Sequence, residues 1–218
     1  MNEKGNRYSV RAFKKETVPD TIINEVLEQV RWTASSKNTQ PWKLHIIRGD
    51  SLEELRKLSL KKATVEEWDP VFESTSPKAL PAELYDRAKV CGFTLFEHKG
   101  IGRDDWEARK AHNLENFKFF DAPLVILFST IKEPNHEVWV DMGQLLANTM
   151  EQFRIRGIAS CPQWSLHHLA KTFNTWLKTD EKYTFSFGLS LGYEENDAHI
   201  NKFRTVRQEV NEFTTWYD

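Results

Sequence analysis

Ala34-Ser35-Ser36-Lys37-Asn38-Thr39-Gln40-Pro41-Trp42 is the stretch from which the rest of the chain can be read outward. It follows an apolar-periodic run and precedes a short apolar run, Leu44-His45-Ile46-Ile47. Small and amide-bearing residues crowd together here, closed by a proline and a tryptophan. Such a turn brings backbone N–H groups and short side-chain donors close to a flat polar ligand. Pro41 fixes one φ and pushes Gln40 out of the α region, which turns the chain into a strand at a set angle. A plain Ser/Asn-rich connection between helix and strand is the alternative, and composition alone favours it.

Upstream, Pro19-Asp20 opens a helix, with proline in its preferred first turn and an acid at the positive end. Ile22, Ile23, Val26, Leu27 and Val30 form one apolar stripe at helical spacing, which reads as core. Downstream, a strand is expected over 42–48, then a turn at Gly49-Asp50. Ser51 with Glu54 reads as a capping box that starts a helix with Leu52, Leu55 and Leu58 inward. Residues 64–81 are irregular, with Pro70, Pro77 and Pro81 interleaved with Trp68 and Phe72, as in a lid or a mobile loop. The lid-like segment is taken to extend over 64–118 of a single domain.

A helix is expected from 82 to about 97, broken by Gly100-Ile101-Gly102. Asp104 can cap the next helix, in which Arg103/Glu107 and Asp105/Arg109 are i,i+4 pairs. Leu124 to Phe128 is a continuous apolar run, as in a strand covered on both faces. The longest helical pattern spans 137–156 and ends at Gly157. A loop follows over 159–165, then a short helix over 166–173 and a last strand over 182–191. The tail from residue 201 carries Phe203, Val206, Val210, Phe213 and Trp216, too apolar for a disordered end.

The 218 residues suit one domain with a sizeable core. Hydrophobic content is 39%, a little low for a chain that buries everything alone, but eight Trp and fourteen Phe add large area per residue. Net charge is −2, which recruits neither nucleic acid nor anionic membrane. No apolar run of about 18 residues and no apolar N-terminal region occur, so neither a membrane span nor a signal peptide is expected. Two cysteines, Cys91 and Cys161, are too few for a disulfide framework and agree with a reducing cytoplasm.

Arg7-Tyr8-Ser9-Val10-Arg11 supplies two guanidinium forks and a hydroxyl. Arg7, Ser9 and Arg11 share a face if the segment is extended; Arg7 and Arg11 share one if it is helical. Either way they suit a phosphate dianion, which arginine binds bidentately. Two solvated arginines in a frayed terminus is the duller alternative. Arg204 and Arg207, three apart, offer a second basic pair or an ordinary basic surface. Gly100-Ile101-Gly102 lacks the third glycine of a dinucleotide fingerprint, and no phosphate-binding P-loop occurs. Cys161 with His167 or His168 has no orienting third partner, and adjacent histidines lack the spacing of a helical zinc pair. No catalytic side chain and no metal site are expected.

These pieces together resemble the FMN-dependent nitroreductase family. "RYSVRAF" and "VPDTIINEVLEQVRWTASSKNTQPWKLHII" look like its opening, followed by "NFKFFDAPLVILF", "VWVDMGQLLANTMEQFRIRGIASCPQWS", "FGLSLGYEE" and "NKFRTVRQEVNEF". The pieces run in the family's order from Arg7 nearly to the last residue. The long middle segment and the "CPQ" loop look most like the branch that reduces nitrobenzoate and nitrophenol.

The resemblance implies an α+β fold with a central, mostly antiparallel sheet flanked by helices. It also implies an intertwined homodimer with the C-terminal tail exchanged onto the partner. FMN is the implied cofactor, with Arg7, Tyr8, Ser9, Arg11, Arg204 and Arg207 at its phosphate end. Ser35, Ser36, Asn38 and Gln40 would contact it, the serines from the opposite subunit. Pro162, Gln163 and Trp164 would lie beside the ring, where Trp164 departs from the small or acidic residue usual in the family. Asn116 and Lys118 would sit near the pyrimidine side. Hydride would pass from NADH or NADPH to the flavin, and the oxidant would then enter the same slot. Trp68, Phe72, Phe117 and Phe120 could line that slot for flat aromatic substrates, although at least half of them read as core. Reductive dehalogenation, flavin breakdown or a non-enzymatic flavin-binding role remain open on the same fold.

Overall fold

The computed structural model describes residues 6–69 and 80–217. Four strands form one antiparallel sheet in the order β1-β2-β4-β3. They are β1 (Trp42–Arg48), β2 (Leu124–Ile131), β3 (Ala159–Gln163) and β4 (Tyr183–Gly192). Side chains of β2 alternate between two helical layers, as the period of a strand requires. Leu124, Ile126 and Phe128 join Leu189 and Leu191 against α1 (Asp20–Val30) and α5 (His136–Arg154). Val125 and Leu127 join Phe185 against α2 (Gly49–Thr64), α6 (Ala170–Leu177) and the turn 115–121. The sheet is therefore covered on both faces, which is why β2 reads as an unbroken apolar run.

The expected start of α1 and the expected bounds of β1 match those observed, and α3 (Ala82–His98) starts where expected. Other local readings need correction. The capping box at Ser51 does not form: α2 begins at Gly49, and no side chain caps it. Asp105, not Asp104, caps α4 (Trp106–Leu114), its carboxylate accepting from the Ala108 N–H. Among the described residues the two i,i+4 ion pairs of that helix are absent, and Arg109 lies 4.4 Å over the Phe96 ring instead. The stretch 159–165 contains an edge strand, because β3 pairs with β4 from Ala159↔Gly192 to Gln163↔Gly188. Pro70, Phe72 and Pro77 of the lid-like segment lie outside the described residues.

The loop before β1 holds Lys37, Asn38 and Gln40 at φ of 52°, 56° and 47°. Gln40 has left the right-handed α region as Pro41 demands, but into the left-handed region rather than an extended conformation. The Ser35 hydroxyl accepts from the Gln40 N–H at 3.0 Å, and the Trp42 N–H donates to the Gln40 carbonyl at 2.8 Å. Local side-chain bonds offset the backbone strain here.

Where β4 ends, the N-terminal segment crosses it closely. A Cβ placed on Gly192 would stand 2.7 Å from Pro123 Cδ and 3.2 Å from Phe13 Cδ1. Pro123 is a rigid ring and Phe13 is core, so neither yields cheaply. Gly192→Ala is expected to cost about 2 kcal/mol of stability, read as a lower urea midpoint with the slope unchanged. An unshifted midpoint would show that this crossing is loose.

Candidate functional site

Residues 7–13 run extended along the beginning of β3. Ser9 pairs in parallel with Ser160, and Phe13 pairs antiparallel with Glu194. The Val10 N–H donates to the Ser160 carbonyl at 3.0 Å. Of the two alternatives for this segment the extended one is realised, so Arg7, Ser9 and Arg11 share a face. That face meets Cys161. Burial pushes its thiol up to about 11, opposed by the Arg11 guanidinium, a hydrogen bond with Ser9 and the Arg7 guanidinium.

The start of the C-terminal tail closes on the same segment. Asn201, buried, accepts from the Arg11 N–H at 2.9 Å and donates to the Ala12 carbonyl at 2.8 Å. The Arg204 guanidinium carbon lies 3.3 Å from the centre of the Tyr8 ring. The Tyr8 hydroxyl donates to Glu194 at 2.6 Å, and burial together with that bond raises its pKa. Arg204 thus reaches the Arg7–Arg11 neighbourhood within one chain. Arg207 does not: it is exposed, and among the described residues it donates only to Thr205 and Val206. Among the described residues neither Arg7 nor Arg11 forms an ion pair. Among the described residues, Arg7 Nη1 is buried without a hydrogen-bond partner, and the Arg11 guanidinium reaches only the Ser9 carbonyl at 3.4 Å. A buried guanidinium nitrogen with no acceptor is costly, and phosphate oxygens are the acceptors that suit its geometry.

Because β3 is an edge strand and the N-terminal segment covers only its beginning, its far end at Pro162–Trp164 is open along the sheet margin. A cavity of about 360 Å³ lies there, lined by Trp139, Met142, Gly143, Leu146, Pro162, Trp164 and Phe187 among others. Trp164 stacks on His167 with ring centres 5.0 Å apart and planes 8° apart, and meets Trp139 edge-on at 5.9 Å. From Cys161 to Trp164 the strand advances on the order of 10 Å. Cations therefore stand at one end of a short strand, and a flat apolar cavity at the other.

The expected aromatic slot is only partly realised. Phe117 and Phe120 are buried in the core, Trp68 is half-exposed against Phe117 and His168, and Phe72 lies outside the described residues. The aromatic groups at the open strand end are instead Trp139, Trp164 and Phe187. The i, i+3, i+4, i+7 spacing of Trp139, Met142, Gly143 and Leu146 marks one face of a helix in the sequence and is the signal that locates them.

Gln163 is 2% exposed. Its amide donates to the Asn116 carbonyl at 2.7 Å and accepts from Ser190 at 2.5 Å, so only its backbone is free to meet a ligand. Asn116 donates to the Asn113 carbonyl at 3.2 Å, and Lys118 pairs with Glu115 at 2.7 Å. Both side chains are engaged inside the chain.

The amide loop stands apart from both regions. The Ser36 N–H donates to both Asp141 carboxylate oxygens at 3.1 Å, and its hydroxyl donates to Glu137 at 3.0 Å. Asn38 accepts from the Gln40 amide at 3.1 Å. Glu137 and Asp141 lie on the face of α5 opposite Trp139, Gly143 and Leu146, at about 100° per residue. Arg7 lines a cavity with Arg154 and Gly157 at the far end of α5, a helix of 19 residues and so about 28 Å long. One chain does not bring Ser35, Ser36, Asn38 and Gln40 to the arginines or to the aromatic cavity.

His167 Nδ1 lies 3.0 Å from the Ser186 carbonyl, which uses it structurally rather than as a base for Cys161. Among the described residues no group of three or more His, Cys, Asp or Glu is placed to hold a metal, and no helix is long and apolar enough to cross a membrane.

Comparison with known proteins agrees with the geometry. The sequence pattern of the nitroreductase family matches residues 5–193. A chloronitrobenzene nitroreductase of Comamonas testosteroni is 28% identical over 97% of this chain and 93% of its own length. The nitroreductase NfnB of Mycolicibacterium smegmatis is 30% identical over 97% of this chain and 89% of its own. A crystal structure of the FMN-dependent NfnB from Mycobacterium smegmatis in complex with NADPH superposes with a TM-score of 0.93 at 27% identity, covering 97% of this chain and 95% of that one.

One titration follows from the surroundings of Arg11. Burial, then Lys99 and Arg11, lower the pKa of His112 from 6.5 to about 4. As pH falls, the unfolded chain takes up this proton before the folded chain does. The contribution of His112 to stability is therefore complete above 6.5 and is lost as pH falls to about 4, by roughly 3 kcal/mol. Urea midpoints from pH 7 to 4 should fall less steeply in His112→Gln than in the parent; equal slopes would contradict this environment.

Proposed function

Given that the chain belongs to the nitroreductase family, we propose that it binds FMN and uses NADH or NADPH to reduce nitroaromatic or quinone-type molecules as a homodimer. The observation that carries the reading is the buried Arg7 Nη1, without a hydrogen-bond partner among the described residues, where neither Arg7 nor Arg11 forms an ion pair. A phosphate dianion answers it in charge and geometry. Arg7, Ser9, Arg11 and Arg204 would hold that group, and the open backbone at Pro162–Trp164 would lie along the ring. FMN, when bound, supplies the hydride chemistry between nicotinamide and oxidant. Positive side chains beside it stabilise the charge that reduction adds. The apolar walls from Trp139, Trp164 and Phe187 would exclude water and orient a flat substrate by stacking. The Mycobacterium smegmatis relative was crystallised with NADPH, and the Comamonas relative is named for chloronitrobenzene, which supports both halves of the reaction.

The homodimer reading has its own support. The amide loop is held on the face of α5 turned away from the aromatic cavity, which supports a second copy supplying it to a shared site. Trp32, Val140, Ile155, Val206, Phe213 and Trp216 are exposed large apolar side chains that a partner subunit could cover. Exchange of the tail past Arg204 would bury the last three and bring Arg207 to the partner.

The purified protein should be yellow. Its flavin should bleach anaerobically with NADH or NADPH and recover on addition of nitrobenzoate. Arg7→Ala should raise the FMN dissociation constant about 10- to 100-fold, the loss of one charge-assisted contact of about 1.5–3 kcal/mol. A colourless protein that takes up no added FMN would remove the reading. Equilibrium sedimentation should give twice the chain mass, and a monomer would remove the shared site.

A further inference from the structure

Lys99 and His112 belong to the α3–α4 segment, yet they sit against the cations of the two chain ends. Lys99 Nζ donates to His112 Nδ1 at 2.8 Å, and His112 is buried beneath Phe96, 5.4 Å from its ring centre. His98, the neighbour of Lys99, stacks on His199 at 4.0 Å and lies 2.7 Å from the His199 carbonyl. Two residues further, Asn201 holds the Arg11 backbone. Arg87, nearer the start of α3, donates to Gln208 at 2.8 Å, so the helix follows the tail past Arg204. Burial lowers the pKa of Lys99, the Glu115 carboxylate opposes that, and Arg11 adds to it; burial, then Lys99, then Arg11 lower that of His112. Among the described residues Lys99 has no carboxylate within ion-pairing distance. A lysine whose neutral imidazole partner fixes one of its three N–H donors keeps two for an anion.

We propose that Lys99, positioned by His112, is a further cationic ligand of the cofactor's phosphate, so that the bound dianion ties the α3–α4 segment to the chain ends. This rests on the FMN reading above. The phosphate carries two negative charges and several acceptor oxygens, enough for Arg7, Arg11 and Lys99 together. Its removal leaves Arg11 and Lys99 as neighbouring like charges, which favours separation of α3–α4 from residues 7–11. Cofactor loading and the closed position of this segment are then linked quantities.

Flavin-free protein titrated with FMN and, separately, with riboflavin tests this, because riboflavin lacks the phosphate. Lys99→Met should weaken FMN about tenfold and leave riboflavin within twofold, and Lys99→Arg should recover most of the FMN affinity. His112→Leu should weaken FMN in the same direction by a smaller factor. In the parent, FMN but not riboflavin should slow amide exchange in α3 and α4; in Lys99→Met that protection should be lost. Unchanged FMN affinity in Lys99→Met, or equal losses for the two flavins, overturns the proposal while FMN binding by the parent keeps the functional reading. A parent that binds neither flavin overturns both.

Discussion

A short run of backbone pairing holds the chain's ends together. The Val10 N–H donates to the Ser160 carbonyl, the Lys14 N–H donates to the Tyr193 carbonyl, and Asn201 bonds on both sides of Arg11. This pairing covers one end of an edge strand and leaves the other open. Without it Arg7 and Arg11 would be two solvated side chains at a terminus. With it their guanidiniums are drawn toward a buried thiol, where solvent no longer screens them fully. An edge strand is ordinarily a liability that is covered or charged along its length. Here coverage stops at the point where the aromatic cavity begins.

The long helix α5 divides the functional groups in a way that one chain cannot undo. Its one face carries Glu137 and Asp141, which fix the amide loop through Ser36. Its other face carries Trp139, Gly143 and Leu146, which wall the cavity. Asp141 is buried and accepts two bonds from one N–H, so the loop is clamped rather than free to swing. Three non-glycine residues in the left-handed region add to that rigidity. A rigid loop displayed outward on a helix already exposing apolar side chains is suited to serve a neighbour.

How much of this could be read from residues alone depended on the length scale of the cause. The stripe of α1, the unbroken run of β2 and the glycine after α5 report local rules, and all three elements appear where those rules place them. β3 was hidden because Pro162 interrupts its ladder and only pairing with β4 makes it a strand. The Ser51 capping box failed because α2 begins three residues earlier than that motif requires. The extended arginine face was legible, although the choice between strand and helix was settled by Ser160, some 150 residues away. Gln163 was legible as a site residue but not as one whose amide is taken by Ser190 and Asn116. Burial of polar groups follows from the fold and has no local signature. Trp139 lies on a helical stripe, and nothing local to the sequence marks the cavity that opens beside it.

Charge explains why the two ends of β3 differ in kind. The chain as a whole is close to neutral, at −2, so the pairing of Arg7 and Arg11 beside Cys161 is a local concentration and not a reflection of composition. Acids do lie near: Glu194 takes the Tyr8 hydroxyl and Glu115 takes Lys118. Each is engaged by another group, and among the described residues no carboxylate forms an ion pair with Arg7 or Arg11. Aligned cations with no counter-charge cost stability that uncharged residues of the same size would not. A fold that keeps them in partial burial, a few residues from a flat apolar cavity, has the polarity of a molecule charged at one end and aromatic at the other.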